Sequence, residues 1–169
     1  VIFRKIGLAA ISLIIVLFYF YTEMNTYPSS KEAVENTELG IPVKKVLMIN
    51  GVNIDSDHEY VLFSSEINGD AYYGFAMTKW AFSGWKAVDY VGGFHITTSN
   101  ANGSYSYKES MKLVNGLIDR QVDRVMIGDR IANINPLPNS NLRVWYQFGI
   151  SEEELESVRF LDKNDEEIR

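Results

Sequence analysis

The side chains from which this chain could build chemistry are its carboxylates, two histidines and many aromatic rings. Asp55, Asp57 and Glu59 alternate in "NIDSDHEY", and carboxylates clustered near a turn can hold a calcium ion. The glycine and the further ligands of a recognised calcium loop are missing, so an acidic, solvated hairpin tip is expected instead. Asp162, Asn164 and Glu166 stand at the first three ligand spacings of an EF-hand loop, but the sixth position is Glu167 where glycine is required. That segment reads as a β-turn. His58 and His95 are the only histidines. There is no nucleophile elbow, no glycine-rich phosphate loop and no His-Glu-x-x-His pair. No catalytic residue, metal-ligand set or cofactor is therefore assigned. Two carboxylates about 5–10 Å apart could still hydrolyse a glycosidic bond, and spacing in sequence does not give that separation.

The aromatic residues are the stronger compositional feature. Between Tyr60 and Phe94, ten of thirty-five residues are Phe, Tyr or Trp. Such rings fill the core of a strand-rich domain through cross-strand pairs. They can also form a stacking platform for sugar rings of a cell-wall polymer or for a partner protein. Tyr72, Trp80 and Trp85 are the candidates for that platform, because they flank a small-residue face or a hairpin tip. Asn102-Gly103-Ser104 is a formal glycosylation sequon, meaningful only in a eukaryotic secretory pathway.

Alternation and turn residues supply the elements that must position these groups. Ser29 with Glu32 forms a capping box for a short helix, and Gly40 is its expected stop. "VKKVLMIN" reads as a strand. "EYVLFSSEI" meets "AYYGFAMTKW" across Asn68-Gly69, whose positive φ angles suit a type I′ hairpin. "AYYGFAMTKW" meets "WKAVDYV" across Ala81-Phe82-Ser83-Gly84, with Gly84 in the left-handed position of a longer loop. Val61, Phe63 and Ile67 share one face of their strand; Tyr73, Phe75 and Met77 share one face of the next. The opposite face of that second strand carries Tyr72, Gly74, Ala76, Thr78 and Trp80. Its small central residues leave room for the helix around Ala33 and Val34. Residues 97–106, "TTSNANGSYS", read as a loop or linker. Beyond them, short runs at "MKLVNGLID", "VDRVMIG", "RIANINP", "LRVWYQFG" and "VRFLD" predict a small sandwich or barrel. "SEEEL" predicts one helical turn capped by Ser151 and Glu154.

The fold class expected is mainly β (α+β) behind an N-terminal transmembrane helix. Residues 1–24 are the signal-anchor, 25–98 an α+β antiparallel meander, and 104–169 a small all-β module. The anchor rests on Ile6 to Thr22, seventeen residues without a charge. Such a run spans about 25 Å as a helix, near the short end of a bilayer's need. Leu8 to Phe18 surround the axis with apolar side chains, which calls for a large protein interior or for lipid. No small-residue cleavage site follows; Tyr19, Phe20 and Tyr21 stand where an interfacial aromatic belt would. Arg4 and Lys5 place the N-terminus in the cytoplasm. The remainder would then lie outside, with 14 − 22 = −8 charges once those two basic residues are set aside. That balance disfavours nucleic acid as a partner. With no cysteine, disulfides, thiol catalysis and Cys-ligated zinc are excluded.

An anchor of this kind, a cysteine-free acidic ectodomain, "SGWKAV" in a hairpin and "VDRVMIG…RVWYQFG…VRFLDKNDEEI" together resemble small single-pass extracytoplasmic proteins of Gram-positive bacteria. The resemblance implies location and size and carries no functional residue with it. The expected function is a membrane-anchored extracytoplasmic binding or interaction protein. Its partners are the lipid bilayer through residues 6–22 and a cell-wall polymer or a membrane protein. A carboxylate-dependent envelope hydrolase and a sensory or regulatory subunit of a membrane complex are the alternatives.

Overall fold

The computed structural model describes residues 11–14, 16–17, 26–50, 57–81 and 83–168. Residues 11–14 and 16–17 are helical, and Ile11, Leu13, Ile14, Val16 and Leu17 are all exposed. The rest of the expected anchor, residues 1–10, 15 and 18–24, lies outside the described residues, as do Asp55 and Phe82. Among the described residues no helix is long and apolar enough to cross a membrane.

The fold is mainly β, with antiparallel pairing in all three of its sheets. The first sheet has the order β1-β2-β3-β4, from β1 (Lys45–Asn50), β2 (His58–Ile67), β3 (Asp70–Ala81) and β4 (Gly84–His95). Asn68 and Gly69, at φ 54° and 90°, make the β2–β3 turn, the geometry a type I′ hairpin needs. The β3–β4 connection is tighter than the sequence suggests. Ala81 pairs directly with Gly84, so the longer loop does not form. Gly84 keeps a positive φ, 153°, that residues with a side chain rarely adopt, and it has a second reason to be glycine. A Cβ there would lie 2.5 Å from the Tyr27 carbonyl oxygen.

One short helix, α1 (Ser30–Asn36), covers this sheet. The Glu32 N–H donates to Ser29 Oγ at 3.2 Å, which starts the helix as its capping residues predict. It stops at Asn36 rather than at Gly40. Asn36 Nδ2 donates to the Glu32 carbonyl at 2.8 Å and Thr37 Oγ1 to that of Ala33 at 2.5 Å. The Thr37 hydroxyl thus takes the Ala33 carbonyl, the first that a further turn would have used. Ala33 and Val34 are fully buried, and Val34 and Leu39 pack with Val61, Phe63 and Ala76. The small-residue face of β3 is where the helix packs.

The second sheet has the order β5-β6-β10-β9, from β5 (Tyr105–Lys108), β6 (Leu113–Ile118), β9 (Asn133–Pro136) and β10 (Arg143–Phe148). The third has the order β11-β7-β8, from β7 (Arg124–Ile127), β8 (Arg130–Ile131) and β11 (Val158–Leu161). A 3-10 helix over Glu152–Ser157 precedes β11, with the Ser151 N–H held by Glu154 Oε2 at 2.8 Å. The segment read as a loop, 97–106, holds a 3-10 turn at Thr98–Asn100 and gives way to β5 at Tyr105.

The second sheet is a middle layer. From β6 and β10, Leu113, Leu117, Val144, Tyr146 and Phe148 pack with Tyr60, Leu62, Tyr73 and Phe75 of the first sheet. Val114, Ile118 and Trp145 pack with Val125, Ile127 and Phe160 of the third. Alternation along one strand therefore serves two cores, and every residue of β6 is buried. The layers run helix, sheet, sheet, sheet. The largest core cluster draws residues from both sides of the 97–106 boundary.

Candidate functional site

β6 carries one polar side chain into the larger core, Asn115, which is 1% exposed. Its register partner Tyr146 faces the same core from β10. Across the layer, the Tyr73 hydroxyl donates to Asn115 Oδ1 at 3.0 Å. Burial pushes the Tyr73 hydroxyl well above the usual phenol range, so it remains a neutral donor at any physiological pH. The Asn115 amide nitrogen has no hydrogen-bond partner. A buried amide N–H without a partner costs roughly 1–3 kcal/mol, and native structures hold few such groups.

That amide sits in the wall of a cleft. About 410 Å³ of space lies between the end of β4 and the start of β5, bounded by Phe94, His95, Asn100, Tyr105 and Gly116 as well as Tyr73 and Asn115. The volume falls within the range of small-ligand sites. Two glycines shape it. Gly93 is an extra residue in β4, since Phe94 pairs with Tyr73 and Gly92 with Gly74. Its φ of 81° is a bulge geometry that glycine adopts freely and that re-aims the strand end. Gly116 lies between Tyr105 and Trp145 in register. A Cβ there would stand 2.6 Å from the Ser104 carbonyl oxygen and 2.8 Å from Trp145 Nε1. The Tyr105 and Trp145 rings meet edge to face beside it, with centroids 6.2 Å apart.

The cleft's chemistry is amide, hydroxyl, imidazole and ring face. Among the described residues that line it there is no carboxylate. His95 lies 3.9 Å from the Asp70 carboxylate and stacks on Tyr72 with centroids 5.0 Å apart, so its ring is oriented from outside the cleft. Such a surface suits an uncharged polar ligand with hydroxyl or amide groups.

The three platform candidates do not come together. Tyr72 and Trp80 share a face of β3, but eight residues separate them, about 27 Å along an extended strand. Helix α1 covers the small residues between. Tyr72 instead borders a second groove of about 530 Å³, where Ser65 Oγ is buried without a partner. Trp80 and Trp85 are register partners at the hairpin tip, with ring centroids 5.6 Å apart at 78°. Trp80 is 49% exposed, and Trp85 is half-buried.

The carboxylates of Glu59 and Asp162 serve the fold. Glu59 accepts the Ser30 hydroxyl. Asp162 Oδ1 accepts the N–H groups of Asn164 at 2.8 Å and Glu166 at 2.9 Å, which makes the expected turn. Asn102 of the sequon uses its Oδ1 to accept the Asp119 N–H at 2.9 Å. The residue that sequence reasoning missed is Asn115. Its signal is a lone amide beside glycine inside the otherwise apolar run "LVNGLI". No family model, no curated protein and no solved structure matches this chain.

Proposed function

We propose that this is a membrane-tethered extracytoplasmic binding protein whose ligand is an uncharged polar molecule, a sugar unit of the cell-wall class, held in the cleft between the first and second sheets. The observation that carries the binding site is the Asn115 amide, buried in the cleft wall with its N–H groups unpartnered beside the Tyr73–Asn115 bond. A ligand hydroxyl or acetamido oxygen would satisfy it, while Tyr105 and Phe94 offer ring faces of the kind sugars stack on. The tether is supported by the uncharged run behind Arg4 and Lys5 and by its exposed helical residues, which join none of the three core clusters.

Titration of isotope-labelled full-length protein in detergent micelles with N-acetylglucosamine oligomers tests the site. Shifts should appear at the Asn115 side-chain amide and at the Gly116 and Tyr105 backbone. Absence of any shift at these residues with millimolar sugar would remove the sugar reading.

A further inference from the structure

We infer that the β3–β4 hairpin tip is a membrane-docking surface that seats on the lipid headgroups beside the point where the N-terminal segment enters the bilayer; this rests on the tether proposed above. Two observations converge on it. The first is continuity. Tyr27 and Trp85 exchange both backbone hydrogen bonds at 2.8 Å, and Thr26 Oγ1 lies 2.8 Å from Ser83 Oγ. The chain leaving the uncharged run is therefore fastened to the tip itself. Only Glu23, Met24 and Asn25 separate Thr22 from Thr26, a reach of at most about 14 Å. A bilayer holding the run must lie within that distance of the tip.

The second observation is the side chains found there. Trp80 and Trp85 form an edge-to-face pair with Trp80 half in solvent. Amphipathic rings of this kind concentrate at membrane–water interfaces, where the ring meets the acyl boundary and the indole N–H stays wet. The occupant that fits exposed indole rings, at this distance from an uncharged run, is the bilayer interface.

All three tryptophans lie outside the uncharged run, and Trp145 is fully buried, so quenching by bromine in the lipid reads the tip. The full chain is reconstituted into vesicles of phosphatidylcholine and phosphatidylglycerol, with bromine placed either near the headgroup or at the chain ends. Headgroup-proximal bromine should quench the emission more strongly, and Trp80→Phe should remove about half of that quenching, since two interfacial rings share it. Protein that floats with the vesicles but is quenched by neither lipid overturns the docking surface and leaves the tether standing. Cross-linking of two copies through the tip in that case would make it a contact between chains instead. Protein that does not float with the vesicles overturns the tether, and the docking surface with it.

Discussion

The Tyr73 hydroxyl donates to Asn115 Oδ1 at 3.0 Å, and this single bond crosses the main core from the first sheet to the second. Both side chains are almost wholly buried, and Phe94 lies against the Tyr73 ring with centroids 5.1 Å apart. A bond of this kind fixes more than distance. It satisfies one end of the Asn115 amide, while the nitrogen end has no partner in a residue that borders the cleft. The same contact therefore belongs to the packing of the two sheets and to the presentation of the site.

Tyr73→Phe tests that double role. It leaves Asn115 Oδ1 buried without a donor, so the domain should lose about 1–3 kcal/mol of stability. The ring and its contacts remain, which separates this loss from a packing defect. Urea unfolding should show a lower midpoint with an unchanged slope. An unchanged midpoint would mean the amide finds another partner and the bond contributes nothing.

Acid should loosen the C-terminal turn. Hydrogen bonds from the Glu166 N–H and, next, the Asn164 N–H hold the Asp162 carboxyl below its ordinary value of 3.8. Its folded value lies below its unfolded one, so in that window the unfolded chain binds more protons. The stability this carboxylate contributes is present above the ordinary value and is lost as pH falls through the lowered one. In a carboxyl-carbon NMR titration the Asp162 midpoint should lie below 3.8, with the Asn164 and Glu166 amides moving at the same midpoint. An Asp162 midpoint at its ordinary value would show that the turn does not favour the charged form.

How far the chain's sequence reveals this architecture depends on whether a residue's role is local. Asn68-Gly69 makes its turn because two adjacent residues must take positive φ, and nothing distant is involved. Gly74 and Ala76 announce close neighbours by their size alone: Phe63 and the β4 backbone at Gly74, and α1 at Ala76. The end of α1 is also local but was masked by a stronger signal. Gly40 looks like a stop, whereas Asn36 and Thr37 end the helix four residues earlier through side-chain bonds. β5 was hidden among small polar residues because it is a strand only through its pairing with β6. Tyr72 and Trp80 share a face that alternation reveals, but alternation says nothing about the helix that lies between them. Asn115 is the hardest case. A buried amide becomes a site only when a particular tyrosine on another sheet takes one end of it, and no periodicity encodes that meeting.

Gly84→Ala examines the join between the link and the sheet. The Tyr27–Trp85 pair gives the exposed edge of β4 its bridge to residue 27, and that bridge requires the Tyr27 carbonyl to pass where a Cβ at residue 84 would stand, 2.5 Å away. The clash is with backbone, so no rotamer can relieve it; either the link or the strand end must move. Moving the link breaks two backbone hydrogen bonds, about 1–3 kcal/mol at 0.5–1.5 kcal/mol each, while the three cores remain packed. Amide exchange should therefore accelerate at Tyr27 and Trp85 in the variant and stay unchanged at Leu113 and Val144, which lie in the fully buried layer. Protease cleavage should appear near Thr26 in the variant alone. Unaltered protection at Tyr27 would mean that the link is held by the Tyr27 hydroxyl, which donates to the Asn36 carbonyl at 3.2 Å, rather than by the strand edge.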